Sequence, residues 1–370
     1  MSDLANEVLV IGAAGYVGQA LLRRLLKSER KVAVICRPHS AFLFERYGPQ
    51  VRVIGGEGTC EDRFSDVINL AYPTGYPVHR RNRENRALAD QVASRTERGG
   101  RVIHVSSLAV FGFHLDQPVV AGPMPMRRDY EYVESKLWLE NRLARLAGEL
   151  QVDIVRLGNV WGPASPNWAV GLTERLRAGQ PVRVNGLAGF SNATDVANVA
   201  DYLVWLLENR RQAGHCQYHH LAEFSARRWS DYLDYLAREL KLPMKSIPGS
   251  SRPRPRGLGI ELRAALRGLA GSPLQMLQSL RSEQLAGSYL RSGIAALPDT
   301  MGAAVKQLRN RGQLTASAPM DVIDQLILEM ITLEREFVSQ TDPGWTPVCG
   351  WDESLTRVGD WLRSAGYVHS

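Results

Sequence analysis

The run Val8-Leu9-Val10-Ile11, followed at once by Gly12-Ala13-Ala14-Gly15-Tyr16-Val17-Gly18, constrains this chain more than any other stretch. Four apolar residues without polar alternation are what a parallel strand buried on both faces shows. Leu21, Leu22, Leu25 and Leu26 then fall on one stripe of a helix. The glycines therefore sit at a strand-to-helix turn, where bare backbone and a helix N-terminus can receive a pyrophosphate. A glycine turn alone can be purely structural. In this context it predicts an α/β fold with a doubly wound parallel sheet of the Rossmann type and a nucleotide at its crevice.

Later segments extend the same plan. Val32-Ala33-Val34-Ile35 reads as a second strand and ends at Cys36-Arg37, where an NAD-specific domain usually places an acid on the adenosine ribose. A guanidinium there pairs instead with a 2′-phosphate, so NADP(H) is the preferred cofactor, with NAD(H) the alternative and a merely solvated Arg37 the bland reading. Val67-Ile68-Asn69-Leu70-Ala71 reads as a third buried strand, followed by the turn-rich Tyr72-Pro73-Thr74-Gly75-Tyr76-Pro77 along the crevice. A helix with Leu88, Ala89, Val92 and Ala93 on its apolar side returns the chain to the strand Arg101-Val102-Ile103-His104-Val105. Ser106 and Ser107 lie at the carboxyl end of that strand, where open parallel sheets bind their ligands.

The helix predicted over Glu131–Leu146 brings Tyr132 and Lys136 to one face, four residues apart. A phenol holds its proton to about pH 10, so a neighbouring ammonium is expected to favour the phenolate nearer neutrality. Lys136 is the only lysine between Lys31 and Lys241 in a chain that otherwise uses arginine almost throughout. Alone, the pair would read as surface residues; preceded by a serine at a strand end, it reads as carbonyl redox chemistry.

With these motifs in this order the chain resembles the extended branch of the short-chain dehydrogenase/reductases, the NAD-dependent epimerase/dehydratase type. The likeness runs through Gly12, Gly15 and Gly18, Asn69-Leu70-Ala71, Ser106-Ser107-Leu108-Ala109-Val110-Phe111-Gly112, and Tyr132 with Lys136. Arg156-Leu157-Gly158-Asn159-Val160-Trp161-Gly162-Pro163, Thr194-Asp195-Val196-Ala197 and Gly344-Trp345-Thr346-Pro347 agree with it. The resemblance implies an enzyme in which Ser107 bonds the substrate oxygen, Tyr132 passes a proton and Lys136 holds the ribose and tunes the phenol. It further implies a cofactor surface of Gly12, Ala14, Gly15, Tyr16, Val17, Gly18, Arg37, Leu70, Ala71, Asn85 and Lys136, with Asn159 on the substrate. The expected division gives 1–165 to the dinucleotide, with segments near 187–215 returning to it, and 166–370 to a smaller, mainly helical substrate region.

Departures from the family narrow the substrate. The segment between Gly186 and Asp195 is short and has no obvious counterpart of the arginine that holds a nucleotide-sugar pyrophosphate. Leu108 and Ala109 stand where the 4,6-dehydratases carry an Asp-Glu pair. The first reading is therefore an NADP(H)-dependent oxidoreductase acting on a small carbonyl or alcohol; the others are a nucleotide-sugar epimerase or 4-ketoreductase with bound NAD, and a non-catalytic nucleotide-binding scaffold. The net charge of +7 suits anionic ligands without pointing to nucleic acid. Cys36, Cys60, Cys216 and Cys349 lack metal-type spacing, so free thiols and no metal are expected. No secretory leader or membrane-spanning run is read, which predicts a cytoplasmic protein. A Pro-, Ser- and Arg-rich stretch over Lys245–Arg256 reads as an exposed linker or loop, and a basic helical block near 250–335 reads as a lid, with a homodimer interface or a basic surface for an acidic partner as the alternatives.

Overall fold

The apolar run before the first glycine forms β1 (Glu7–Ile11), buried along its whole length. A computed structural model describes residues 7–37, 40–55, 62–73, 78–112, 119, 121–124, 131–209, 214, 216–248 and 331–368. In chain order there follow α1 (Tyr16–Lys27), β2 (Lys31–Cys36), α2 (Phe42–Glu45), β3 (Val51–Gly55), β4 (Phe64–Asn69), α3 (Val78–Arg95), β5 (Thr96–Ser107), α4 (Glu131–Ala144) and β6 (Gln151–Leu157). Then come β7 (Asn159–Trp161), α5 (Leu172–Arg177), β8 (Arg183–Val184), β9 (Ala193–Asp195), α6 (Val196–Glu208), β10 (Cys216–Leu221), α7 (Trp229–Leu240), β11 (Ser246–Ile247) and α8 (Trp351–Ser364). The main sheet is parallel with seven strands in the order β10-β6-β5-β4-β1-β2-β3. Winding runs outward in opposite directions from β1 and β4, and the strand order reverses between them. A crevice opens at such a switch point, outside the carboxyl ends of the strands.

Both faces of the sheet are apolar, which is why its central strands read as continuous hydrophobic runs. Val8, Val10, Val32, Val34, Ile103 and Val155 pack with α1 and α6. Leu9, Ile11, Ala33, Val67, Val102 and Ile154 pack on the other face with Ala89 and Val92 of α3 and Leu139 and Leu143 of α4. The strand expected to reach Ala71 ends at Asn69, because the Asn69 side-chain oxygen accepts the Ala71 amide at 3.1 Å and turns the chain. The helix expected to reach Leu146 ends at Ala144 and tightens into a 3-10 turn at Arg145–Gly148. Sequence reasoning did not identify β3, β6 or β10. In β6 and β10 the buried polar residues Asp153, Arg156, His219 and His220 interrupt the apolar signal. Their partners are distant in sequence: Asp153 accepts from Arg101 at 3.0 Å and lies 2.9 Å from His219.

A second apolar core is built around tryptophans. Trp161 lies 4.4 Å from both Tyr232 and Trp351, centroid to centroid, in a core with Trp168, Trp229 and Leu236. Asp195 caps α6 by accepting the Ala197 amide at 2.7 Å, and its carboxylate also takes Ser354 and Arg357 of α8. Residues 331–342 run from Gly189 and Phe190 to the edge strand β10 of the main sheet. Gln340 pairs with His220 of β10, Asn192 accepts the Phe337 amide at 2.7 Å, and Phe337 packs on Phe111. The stretch from Lys245 is described only to residue 248, and the block expected near 250–335 lies outside the described residues up to 330. Among the described residues no helix is long and apolar enough to cross a membrane, and no cluster of His, Cys, Asp or Glu is suited to a metal. Cys36, Cys216 and Cys349 are free thiols.

Candidate active site

The glycine turn follows β1 directly and lies against the turn after β4, since Ile11 pairs with Asn69. Two of its glycines are required by the protein itself. Gly12 has φ +90°, and a Cβ there would stand 2.9 Å from the Ala71 amide nitrogen; a Cβ on Gly18 would stand 2.5 Å from the Gly12 carbonyl oxygen. Gly15 is different. It is exposed, has an ordinary φ of −74°, and a Cβ would meet only the Gly12 carbonyl oxygen at 3.4 Å, a normal contact. It precedes α1, which has neither a side-chain cap nor an acid in its first turn, so the chain itself leaves the helix N-terminus electropositive. Ala14, Tyr16 and Val17 are half-buried beside it, and Tyr16 donates to the Trp161 carbonyl at 3.1 Å, tying the turn to β7.

This contrast gives a test. Gly18→Ala is expected to destabilise the fold by roughly 1 to 3 kcal/mol, because the clash is with backbone that cannot step aside. Gly15→Val, which meets no such clash, should cost no more than about 1 kcal/mol, the loss of a favoured N-cap residue, while abolishing dinucleotide binding. Parallel chemical denaturation and NADPH titration of the two variants separate packing from ligand approach.

Ser107, Tyr132 and Lys136 come together at the carboxyl end of β5. Ser107 is the last residue of the strand; its hydroxyl accepts the Ala109 amide at 3.2 Å, leaving the O–H proton free to be donated elsewhere. Its neighbour Ser106 points into the sheet and is 2% exposed, so only Ser107 reaches the crevice. Tyr132, at the start of α4, keeps 38% of its surface exposed. One turn on, Lys136 is 3% exposed and donates to the Val105 carbonyl at 2.9 Å, with its ammonium 5.9 Å from the Tyr132 ring centroid. Desolvation pushes the Tyr132 phenol up to about 12, with Ser107 pulling it down as the largest opposing influence. Desolvation also brings Lys136 down to about 8, partly offset by Glu140. The shift runs opposite to the one expected from Lys136: desolvation of the phenol raises it, and the group that pulls it down is Ser107. Tyr132 is a protonated donor at neutral pH, suited to a developing alkoxide.

Leu70 and Ala71 form the half-buried turn against Gly12. Arg37, just past β2, is exposed, and no side-chain bond or ion pair with a described residue is seen. Asn85 is 1% exposed and accepts the Ser135 hydroxyl at 2.7 Å, locking α3 to α4. Asn159 donates its amide to the Ser191 carbonyl at 2.6 Å, linking β7 to the loop before β9.

Sequence reasoning missed three neighbours of this site. Glu140, one turn beyond Lys136, forms a two-pronged bond with Arg156 of β6, at 3.1 and 2.7 Å, with both side chains essentially excluded from solvent. Spacing on α4 could have flagged Glu140; nothing local could have paired it with Arg156. Tyr72, in the turn after β4, sets its ring edge-on to Tyr132 with centroids 5.1 Å apart, and the Lys136 ammonium lies 4.5 Å from its ring centroid.

Comparison with known proteins agrees with this geometry. The profile of the NAD dependent epimerase/dehydratase family matches residues 8–219. Among solved structures, a nucleoside-diphosphate-sugar epimerase from Pseudomonas aeruginosa is 17% identical, with 98% of this chain and 99% of that one covered and a TM-score of 0.56. The UDP-glucose 4-epimerase of Thermus thermophilus, solved with NAD, is 15% identical over 97% and 99%, TM-score 0.55. The Bordetella bronchiseptica enzyme WbmG, solved with NAD and UDP, is 15% identical over 98% and 95%, TM-score 0.55. A search of curated proteins gave no match.

Proposed function

Because the chain belongs to the NAD dependent epimerase/dehydratase family and is therefore an enzyme, we propose that it is a nicotinamide-dinucleotide-dependent oxidoreductase acting at a carbonyl or alcohol carbon. The observation that carries this reading is the meeting of Ser107, Tyr132 and Lys136 at the carboxyl end of β5, beside a turn whose Gly15 the protein does not itself need. Residues 12–18 and α1 fit a dinucleotide phosphate, and Lys136 fits its ribose. The cofactor supplies the hydride; the chain supplies binding, orientation and the proton. Ser107 bonds the substrate oxygen and Tyr132 hands it a proton, which makes reduction the natural direction for the resting protein. Asn85 then acts through Ser135 by fixing α4, and Asn159 by shaping the β7 edge of the substrate side. In this reading 1–165, with 187–215, serve the dinucleotide and 166–370 the substrate.

Arg37 supports NADP(H); the NAD in the Thermus and Bordetella relatives supports NAD(H). If the guanidinium holds a 2′-phosphate, Arg37→Ala weakens NADPH by about 1.5 to 3 kcal/mol and spares NADH, the range for a hydrogen bond to a charged group. Calorimetric titration of both cofactors against both proteins checks this, and equal weakening of the two assigns Arg37 to the solvated surface.

A second reading, nucleotide-sugar epimerisation with NAD retained through each turnover, is supported by the epimerases among the similar structures. The mass of the nucleotide released from freshly purified protein distinguishes them: a stoichiometric NAD favours the epimerase, an empty protein that takes up NADPH the reductase.

A further inference from the structure

Lys136 is held in an unusual way for a buried ammonium. Around it are Tyr132 and Glu140 from its own helix, the Val105 carbonyl and the His104 ring from β5, and Tyr72 from the turn after β4. Glu140 is committed to Arg156. His104 is buried and lies 3.0 Å from the Asn69 amide nitrogen. The amide donates, so the facing ring nitrogen accepts; burial and the nearby Lys136 charge both keep this ring neutral. The ammonium also lies over the Tyr72 ring face, at 4.5 Å, within the distance at which a ring quadrupole stabilises a cation. The same ring meets Tyr132 edge-on, at 5.1 Å and 79°, the geometry in which a positive ring edge faces a negative ring face. One half-buried side chain from the cofactor crevice thus touches both groups of the proton-transfer pair.

We propose that Tyr72 is a positioning residue of this active site: its ring clamps the Lys136 ammonium and braces the Tyr132 phenol, holding the two in register before substrate arrives. The role rests on the proposed function of Lys136 and Tyr132, but its physical content does not depend on turnover. It needs the aromatic ring and not the phenol hydroxyl. Tyr72→Phe should therefore preserve it and Tyr72→Leu should remove it.

The test reads Lys136 directly. The chain has six lysines, so protein labelled with ¹³C at the lysine Cε gives few resonances, and Lys136→Met identifies the one of interest. In full-length protein without ligand, Tyr72→Leu is expected to lower the Lys136 titration midpoint by roughly 0.4 to 1.5 pH units, the loss of one cation–π contact, while Tyr72→Phe stays at the parent value. Tyr72→Met, close in volume and lacking the ring, replaces Leu should that variant fold poorly. Equal midpoints in the parent, Phe and ring-less proteins overturn the clamp, as does an equal fall in Phe and Leu. Dinucleotide titrations of the same proteins separate the two levels: a midpoint shift with no dinucleotide binding by the parent leaves the clamp standing and removes the proposed function, whereas binding without a shift does the reverse.

Discussion

Tyr132→Phe is expected to lower kcat by about 10²- to 10⁴-fold, the range for loss of a positioned general acid, while dinucleotide affinity stays within a few-fold. The substitution keeps the ring, its edge contact with Tyr72 and the packing of α4, and deletes only the hydroxyl. Ser107 remains able to bond the substrate oxygen, so binding should survive better than turnover. The phenol sits at about 12 and Lys136 at about 8. Reduction rates should therefore hold through neutral pH and fall as Lys136 loses its proton above about 8, with the acid form of Tyr132 persisting throughout. Steady-state kinetics of both proteins across pH 6 to 10 check the loss and its shape. A mutant with parental kcat would remove Tyr132 from the chemistry.

Glu140→Leu should have the largest effect on stability, about 3 to 5 kcal/mol, because it strands Arg156 as an unpaired charge in the interior. Arg156 is fully buried and Glu140 is 1% exposed, and without the carboxylate the guanidinium is left with the rings of Phe111 at 5.0 Å and Tyr218 at 4.7 Å and the His220 Nε2 at 3.5 Å, none of them an anion. The double change Glu140→Leu with Arg156→Met should recover most of the loss, since burying two apolar groups in place of an ion pair is near neutral or favourable. Glu140 also supports the Lys136 charge, so in either variant the alkaline fall in activity should begin at lower pH. Urea denaturation of the single and double variants measures the first effect; a single-variant loss below about 1 kcal/mol would mean that solvent reaches the pair.

What was legible in the sequence was local. Apolar runs marked β1, β2 and β4, the glycine turn marked the strand-to-helix junction after β1, and four-residue spacing put Tyr132 and Lys136 on one face of α4. Other features depend on contacts between distant segments. Arg156 and Glu140 meet only because α4 lies across β6, and the buried charges of β6 hide it from a reading based on apolar runs. Tyr72 looked like one of several aromatic residues in a turn until β4 brought that turn beside α4. The Tyr132 shift runs the other way from the one spacing suggests for a related reason: spacing revealed the nearby ammonium but not the desolvation that raises the phenol and also pulls down Lys136 itself. Between Ser106 and Ser107 the sequence alone left only family likeness to decide, whereas the alternation of β5 sends one inward and the other to the crevice.

The central claim is that the glycine turn and the Tyr132–Lys136 pair serve one dinucleotide. Isothermal titration of NADPH and NADH into the parent, Gly15→Val, Lys136→Met and Tyr132→Phe proteins tests it most directly. The account predicts one dinucleotide per chain for the parent and for Tyr132→Phe, none for Gly15→Val, and clearly weaker binding for Lys136→Met, which loses the ammonium expected on the ribose. A parent protein that binds neither dinucleotide, or a Lys136→Met protein that binds as tightly as the parent, would contradict it.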